Sequence, residues 1–289
     1  RSTLFPYTTL FRSERCPLLA NIALHGMEAA VGVKYIARGD NVGKRGLIRY
    51  ADDFVVFCET EEDAHNAKAE LSVWLAQRGL ALSDEKTRIA HLSDGFDFLG
   101  FHIRQYRAPT SRWGWKLIIK PSRKSVKTLK ARLTQEWRAL LGQDIATVRY
   151  RLNPIIRGWS NYFRGVVSKR QFAALDNWTF DKEVRWARRM HPQKPWYWLK
   201  RKYWGKLHPK RNDVWVFGDA AGKGGRLIKF AWTPIVRHIL VKGAASPDDP
   251  SLQDYWARRR SRRHAELSGP QRALATRQKG QRSDRKSVV

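Results

Sequence analysis

The sequence predicts an α+β fold in which strands and helices come first and a basic, aromatic-rich helical part follows. Residues 1–100 contain 12 basic and 14 acidic residues, whereas residues 101–289 contain 44 basic and 12 acidic residues. The second stretch therefore carries a net charge of +32 and the first a net charge of −2, which together give the formal net charge of +30. Twelve of the 13 tryptophans also follow residue 100. Disordered basic tails lack tryptophan, so we expect this stretch to fold around aromatic side chains and to be basic on its surface.

The charge of the second part indicates a polyanionic partner. Nucleic acid is the first candidate and an anionic membrane surface the second. No apolar run approaches the ~18–20 residues that span a bilayer, and no membrane partner is expected. The two cysteines, Cys16 and Cys58, exclude a disulfide scaffold and a cysteine-based zinc site, and they fit a reducing cytoplasm.

The first part is expected to open with a helix and a β-hairpin. The helix is predicted over Cys16–Glu28, because Pro17 suits a first turn and apolar residues recur along one face. Residues 34–44 form a short strand or loop. Two β-prone runs, Gly46–Arg49 and Phe54–Cys58, then flank Tyr50-Ala51-Asp52-Asp53, which predicts a hairpin with both carboxylates at its bend.

The two aspartates of this bend, Asp52 and Asp53, suggest a metal site. Adjacent carboxylates repel each other unless cations lie between them. Two-metal phosphoryl-transfer sites use such carboxylates to hold Mg²⁺ ions roughly 3.5–4 Å apart. The alternative is a solvated turn, and the pair alone does not decide between the two.

A second helix and two strands are expected to complete the first part. Thr60–Asp63 is similar to a capping box, and Gly79 is suited to the end of the helix. The buried stripe of this helix is predicted to be Ala64, Ala67, Leu71, Trp74 and Leu75. Gly95–Phe101 is expected to be one strand bracketed by glycines, and Trp115–Ile119 another that ends at Pro121.

From Ser122 the sequence predicts a basic bundle of three helices. Apolar residues recur at helical spacing from Val126 to Leu140 in the first helix. Asn153 and Pro154 are expected to cap and begin the second helix. The third is expected to end near His191.

Short β-like pieces are predicted after the bundle, at Val214–Phe217 and Leu227–Phe230. A linker rich in proline and aspartate is expected from Ala244 to Ser251. A basic segment begins at Arg258.

Both ends of the chain are expected to be foreign to the protein. Residues 3–13 and 284–289 are what the two strands of a common sequencing-library adapter encode. We therefore exclude 1–13 and 283–289 from fold reasoning and expect the genuine stretch, 14–282, to be an internal piece of a longer gene.

Five motifs occur in an order that resembles one family, the reverse transcriptase/maturase proteins encoded by group II introns. They are Pro17–Ile22, Tyr50–Asp53, Glu85–Thr87, Gly95–Phe101 and Pro154–Phe163. The resemblance covers nearly all of residues 14–282, and five collinear motifs are far more specific than one.

The resemblance implies a domain order. A partial polymerase palm, an antiparallel sheet with helices, would occupy 14–121. A basic α-helical thumb/maturase domain would follow at 122–205, and a small β-containing extension at 206–245. A basic DNA-binding connector would occupy 246–282.

The resemblance also implies a catalytic centre. Asp52 and Asp53 would hold Mg²⁺, with Asp52 as the main ligand. Lys86 would approach the phosphates of the incoming nucleotide, although a surface ion pair is the alternative for a lysine beside a glutamate. Tyr50, Ala51 and Gly100 would lie near the primer and the nucleotide. The candidates for RNA phosphate contacts are Arg157, Arg164, Lys169 and Arg170.

The implied function is synthesis of DNA on RNA by a protein that also helps its intron RNA to splice. Its partners would be intron RNA, a DNA target and primer, and deoxynucleotides. One alternative is a non-catalytic RNA-binding maturase with a relic palm, and another is a diversity-generating or defence reverse transcriptase. The family carries a third carboxylate on an earlier strand, so this stretch alone is expected to give no Mg²⁺-dependent primer extension.

Overall fold

The structure, a computed structural model, describes residues 16–34, 36, 41–219, 225–241, 245 and 249–265. Both adapter-like ends and most of the proposed connector at 246–282 lie outside these residues. The chain divides into two compact units. One consists of the described parts of 1–31 and 44–239, and the other of the described parts of 32–43 and 240–289.

The first unit is mixed α and β, as predicted. Its helices are α1 (Cys16–Ala23), α2 (Met27–Ala30), α3 (Glu61–Ala76), α4 (Arg123–Ala139), α5 (Ile145–Phe163), α6 (Lys169–Met190) and α7 (Trp196–Tyr203). Its strands are β1 (Gly46–Tyr50), β2 (Asp53–Phe57), β3 (Phe96–Phe98), β4 (Phe101–Arg107), β5 (Trp115–Pro121), β6 (Trp204–Gly205) and β7 (Val216–Phe217). Among the described residues they form three antiparallel sheets, β1-β2, β3-β4-β5 and β6-β7.

Helix α3 begins and ends as its sequence predicts. The Thr60 hydroxyl accepts a hydrogen bond from the Asp63 backbone N–H at 3.1 Å, which caps the first turn. At the other end, Gly79 has φ 67°, and the Leu80 N–H donates to the Leu75 carbonyl at 3.0 Å. Four members of the predicted stripe are buried, and Trp74 is half-buried beneath the Arg78 guanidinium.

The predicted helix Cys16–Glu28 is wrong in its extent and in its buried face. Helix α1 ends at Ala23, and Gly26, with φ 85°, separates it from the short helix α2. This left-handed conformation is easy for glycine and interrupts the helical period. Ile22, expected to be on the buried face, is therefore exposed, whereas Leu24 and Met27 are buried.

The predicted strand Gly95–Phe101 is instead a hairpin. Strands β3 and β4 pair antiparallel, with Phe98 opposite Phe101. The two residues between them, Leu99 with φ 48° and Gly100 with φ 78°, both adopt left-handed backbone conformations that reverse the chain. Strand β4 then continues to Arg107 and pairs with β5 along its whole length.

Helices α4 to α7 pack around one aromatic core. Ser122 caps α4 by accepting from the Ser125 N–H at 3.1 Å. The indole N–H of Trp186 donates to the Leu140 carbonyl at 2.8 Å and so joins α6 to the end of α4. The largest fully buried side chains of this core are Phe172, Phe217, Phe230, Leu133, Leu152, Ile156 and Leu175. The expectation of a helical part folded around aromatic residues is confirmed.

Asn153 and Pro154 do not begin a helix, contrary to the sequence-based expectation. Helix α5 starts at Ile145, where Asp144 accepts from the Thr147 N–H at 2.8 Å, and it continues through Pro154. The Asn153 amide is buried, donates to the Arg226 carbonyl at 3.1 Å and accepts from the Ile228 N–H at 2.9 Å. This side chain therefore anchors a distant segment, and α5 continues through a proline that removes one helical hydrogen bond.

Replacing Asn153 by alanine is expected to lower the free energy of unfolding by about 2–3 kcal/mol. The variant leaves the Arg226 carbonyl and the Ile228 N–H without their partner, and unsatisfied buried groups cost about 1–3 kcal/mol. Urea unfolding measures the difference. Asn161→Ala, at an exposed position of the same helix, is the matched control, with an expected change within about 0.5 kcal/mol. Equal effects of both variants would contradict an anchoring role.

The segment after α7 agrees only partly with the predicted β-pieces. Strand β7 covers Val216–Phe217, whereas Phe230–Trp232 forms a 3₁₀ turn. The Asp176 carboxylate accepts from the backbone N–H groups of Phe230 and Ala231 at 2.7 and 2.9 Å. These bonds hold the chain in a turn where a strand was predicted.

The second unit contains helix α8, Gln253–Ala265, which begins before the predicted basic segment. In this unit the Arg259 guanidinium donates to the Leu240 carbonyl at 2.9 Å. Within the part of the chain that the structure describes, no helix is long and apolar enough to cross a membrane.

Candidate metal and nucleic-acid site

The hairpin of β1 and β2 places the two aspartates as predicted. Tyr50 pairs with Asp53, so Ala51 and Asp52 form a two-residue turn. Ala51 has φ 54°, a left-handed conformation that costs a non-glycine residue roughly 1–2 kcal/mol. Backbone strain of this kind is concentrated at functional sites.

Arg49 stabilises the turn through two hydrogen bonds. Its guanidinium donates to the Ala51 carbonyl at 3.2 Å and to the Asn21 side-chain oxygen at 2.9 Å. The helix that carries Asn21 belongs to the first sequence motif, so two separate motifs meet at the strained turn. Sequence reasoning assigned no role to Arg49 or to Asn21.

The electrostatics of the pair suit a cation. Burial raises the pKa of the Asp53 carboxyl, the neighbouring Asp52 carboxylate raises it further, and the Lys86 ammonium opposes the rise. Among the described residues, neither aspartate forms a salt bridge or a side-chain hydrogen bond. Two carboxylates without such a partner can supply oxygen ligands to a hard divalent ion, and among the described residues no third His, Cys, Asp or Glu joins them.

The predicted nucleotide lysine lies within electrostatic range of the acidic pair. Lys86 is exposed in the turn after α3, and its charge acts on Asp53. The fold therefore places Lys86 within electrostatic range of Asp53, although more than thirty residues separate the two in the sequence.

Asp53 lines a cleft with a volume of about 860 Å³. One wall comes from the β3–β4 hairpin and the other from α4 and α5. The lining includes Asp53, Asp97, Gly100, Lys124, Thr128, Arg132 and Tyr162.

Gly100 joins the sheet to α4 at this cleft. Its carbonyl accepts from the Ser122 N–H at 2.8 Å and from the Ser125 hydroxyl at 3.1 Å. A Cβ atom at this position would lie 2.7 Å from the Ser125 hydroxyl oxygen, and φ is 78°. The position therefore requires glycine for both conformation and space.

Tyr162 ties α5 to the same turn. Its hydroxyl donates to the Leu99 carbonyl at 2.8 Å, and its ring stacks on Phe101 with a centroid distance of 5.1 Å. Burial raises the pKa of Tyr162, and Tyr50 raises it further, which places Tyr50 within electrostatic range of Tyr162. Leu99 and Ala51 are the two non-glycine residues with positive φ in the described chain, and both lie at turns beside this cleft.

Basic residues of α4 complete the cleft, and sequence reasoning missed them. Lys124, Thr128 and Arg132 line it from successive turns of the helix. Their spacing of four residues puts them on one helical face. This spacing within a helix already recognised as basic was the signal that could have identified them.

The four predicted RNA-contact residues do not line the cleft as the structure describes it. Arg157 and Arg170 are exposed, and Arg164 is half-buried. The Lys169 ammonium donates to the Ala231 carbonyl at 2.6 Å, so this lysine has a structural contact.

The comparisons with known proteins agree with this geometry. Residues 13–103 match the family model described as reverse transcriptase (RNA-dependent DNA polymerase), so the part that carries the acidic hairpin is of the reverse transcriptase class. Residues 126–204 match the model described as group II intron, maturase-specific domain. The two matches follow each other along the chain and, with the relatives below, support a group II intron reverse transcriptase/maturase.

Two curated relatives support this family. Over 84 residues, or 28% of this chain, it is 34% identical to the group II intron-encoded protein LtrA of Lactococcus lactis subsp. cremoris. The protein of the same name from strain MG1363 matches equally. The aligned part is 14% of the length of each relative.

Proposed function

We propose that this protein copies RNA into DNA and assists the splicing of the intron RNA that encodes it. The observation that carries the proposal is that Asp53 opens into the same cleft as Lys124 and Arg132. A carboxylate pair for metal and a basic wall for phosphates are both needed to extend a primer paired to a template. The proposed substrates are deoxynucleotides and a primer–template duplex.

The proposed roles follow the placement of each side chain. Asp52 and Asp53 would hold Mg²⁺, which lowers the pKa of the primer 3′-hydroxyl and stabilises charge on the leaving pyrophosphate. Lys86 would contact nucleotide phosphates from the edge of the pair. Tyr50 and Ala51 would adjoin the primer end, and the turn at Gly100 would face the primer backbone.

The helical part is proposed to be a thumb that also binds intron RNA. Lys124 and Arg132 would contact phosphates inside the cleft. Arg157 and Arg170 are exposed elsewhere on the bundle, where they remain available to a second RNA surface. We retain the domain limits 14–121, 122–205, 206–245 and 246–282 as part of the proposal.

Binding of an RNA–DNA duplex tests the basic wall. The logarithm of the affinity should fall linearly with the logarithm of the salt concentration, by about 0.7–0.9 for each phosphate contact. Lys124→Ala/Arg132→Ala should weaken binding and lower this slope by about 1.4–1.8, because two contacts are lost. Fluorescence anisotropy at several salt concentrations gives both values.

Lys127→Ala is the matched control for this experiment. Lys127 is exposed on the same helix, carries the same charge and does not line the cleft. The control variant should retain nearly the full slope. Equal losses per charge removed, in the control and in the double variant, would show that only the net charge matters and would remove the cleft from the proposal.

A non-catalytic maturase is the second candidate, favoured by the exposed arginines outside the cleft. The two candidates differ in what the acidic pair does. A catalytic palm needs a divalent ion beside the bound duplex, whereas a relic palm binds the duplex without one.

A further inference from the structure

The hairpin of β4 and β5 ends in a rigid tip far from the acidic pair. The last ladder pair is Arg107 with Trp115. Beyond it, the Ala108 N–H donates to the Gly114 carbonyl at 2.8 Å, and the Ser111 hydroxyl donates to the Trp115 carbonyl at 2.9 Å. These bonds close the turn at the end of the hairpin.

The tip presents apolar side chains to solvent. Trp113 is 78% exposed, Trp115 is 47% exposed and Leu117 is 53% exposed. Trp115 and Leu117 are two residues apart on β5 and therefore share one face of the sheet. Tryptophan is rarely left this exposed without a partner, because its burial stabilises a fold more than that of most residues.

The charge around these tryptophans has one sign. The Arg112 guanidinium lies 5.3 Å from the centroid of the Trp113 ring. Arg107 lies directly opposite Trp115 in the strand ladder and is exposed. The sequence contains no acidic residue between Asp97 and Glu136. Exposed indole rings interleaved with cations complement a chain of bases and phosphates, which is how proteins bind single strands.

The tip is separate from the cleft. Phe101, at the opposite end of β4, stacks on the cleft residue Tyr162. Strand β4 runs from Phe101 to Arg107, and a strand rises about 3.3 Å per residue, so the two ends are about 20 Å apart. A ligand of the tip is therefore bound outside the primer site.

We propose that this tip binds unpaired RNA nucleotides, with bases stacked on Trp113 and Trp115 and phosphates held by Arg107 and Arg112. The inference rests on the proposed function, since it requires a protein that handles RNA. It adds a contact to single-stranded RNA outside the duplex cleft, such as template that has not yet been copied or an intron loop.

Binding of a fluorescein-labelled oligouridylate to the full chain tests the tip. Trp113→Ala/Trp115→Ala should weaken this binding by about tenfold or more, because each stacked base contributes substantially to affinity. The salt slope should stay unchanged, since no phosphate contact is lost. Trp113→Phe/Trp115→Phe should restore most of the affinity. An unchanged oligouridylate affinity of the alanine variant would overturn the proposal.

Two further measurements separate the tip from the cleft and from other partners. The alanine variant should keep its melting temperature and its affinity for a blunt RNA–DNA duplex, since the tip lies outside the cleft. Tryptophan-dependent binding to vesicles of anionic phospholipid, with oligouridylate binding unaffected, would overturn the proposal in favour of a membrane surface. If instead the Lys124/Arg132 variant leaves duplex binding unchanged, the proposed cleft fails independently of the tip.

Discussion

Asp52→Asn/Asp53→Asn is expected to abolish divalent-ion binding next to a bound duplex while making the metal-free protein more stable. Burial and the Asp52 charge raise the pKa of Asp53. A carboxyl with a raised folded pKa makes the fold less stable as pH increases through that pKa, so at neutral pH the ionised pair destabilises the fold. Asparagine removes that penalty and also removes the charges that a hard cation requires.

Thermal melts with and without Mn²⁺, in the presence of the duplex, measure both effects. Mn²⁺ should raise the melting temperature of the wild-type complex and leave that of the double variant unchanged. Without metal, the double variant should have a higher melting temperature than the wild type. Asp97→Asn is the matched control, since Asp97 lines the cleft but its carboxylate pairs with His102 at 2.7 Å. Loss of the Mn²⁺ response in the control but not in the double variant would contradict the assignment.

The second large effect is a loss of stability as pH rises, and it is expected to come from Glu183 in the core of the helical part. This side chain is buried on α6 and accepts a hydrogen bond from the Trp204 indole N–H at 3.1 Å. Burial, with a smaller effect of the Asp176 charge, raises the pKa of Glu183 to about 8 against the opposing effects of Trp204 and Lys229. Burial likewise raises the pKa of Asp176 to about 6.

The fold is therefore expected to lose stability as pH rises. Glu183 binds its proton more tightly in the folded chain than in the unfolded chain, whose pKa is near the ordinary value of 4.5. Its contribution is complete below that value and is lost as pH rises toward about 8. One pKa unit is worth about 1.4 kcal/mol, so the loss between about pH 6 and pH 9 is about 3 kcal/mol. This corresponds to a fall in Tm of roughly 6–12 °C.

Glu183→Gln separates this effect from other titrations. Glutamine keeps an oxygen that accepts from Trp204 and carries no charge at any pH. The Tm of the variant should fall much less between about pH 6 and pH 9 than that of the wild type. Asp181→Asn, at an exposed position on the same helix, should follow the wild-type profile. Parallel profiles for wild type and Glu183→Gln would show that Glu183 does not control the alkaline loss.

Sequence motifs correctly predicted those elements that are stabilised by residues close to them in the chain. The hairpin around Asp52 and Asp53 and the cap at Thr60 depend on neighbouring residues, and both are confirmed. Helix α5 was predicted to start at Asn153, because that residue and Pro154 form a good local cap. Its true role depends on Arg226 and Ile228, more than seventy residues away, and spacing in the sequence carries no sign of that contact.

The site residues also fall into those that the sequence identified and those that only tertiary packing selects. The acidic pair was identified from its motif. The assignment of Lys86 to the same site followed from the family resemblance. The basic wall at Lys124 and Arg132 was missed because surface cations are common in this chain, and only the packing of α4 against the turn at Gly100 selects these two. The strain at Leu99 could not be predicted, since leucine gives no turn signal.

Cleavage by hydroxyl radicals from Fe²⁺ tests most directly whether the acidic pair and the cleft form one site. Fe²⁺ replaces Mg²⁺ at carboxylate sites and cuts only what lies next to it. In a complex with an RNA–DNA duplex, we predict cuts in the protein around Tyr50–Asp53 and in the duplex at one position, both absent from Asp52→Asn/Asp53→Asn. Cuts spread along the duplex, or unchanged in the double variant, would show that no metal lies between the acidic pair and the nucleic acid.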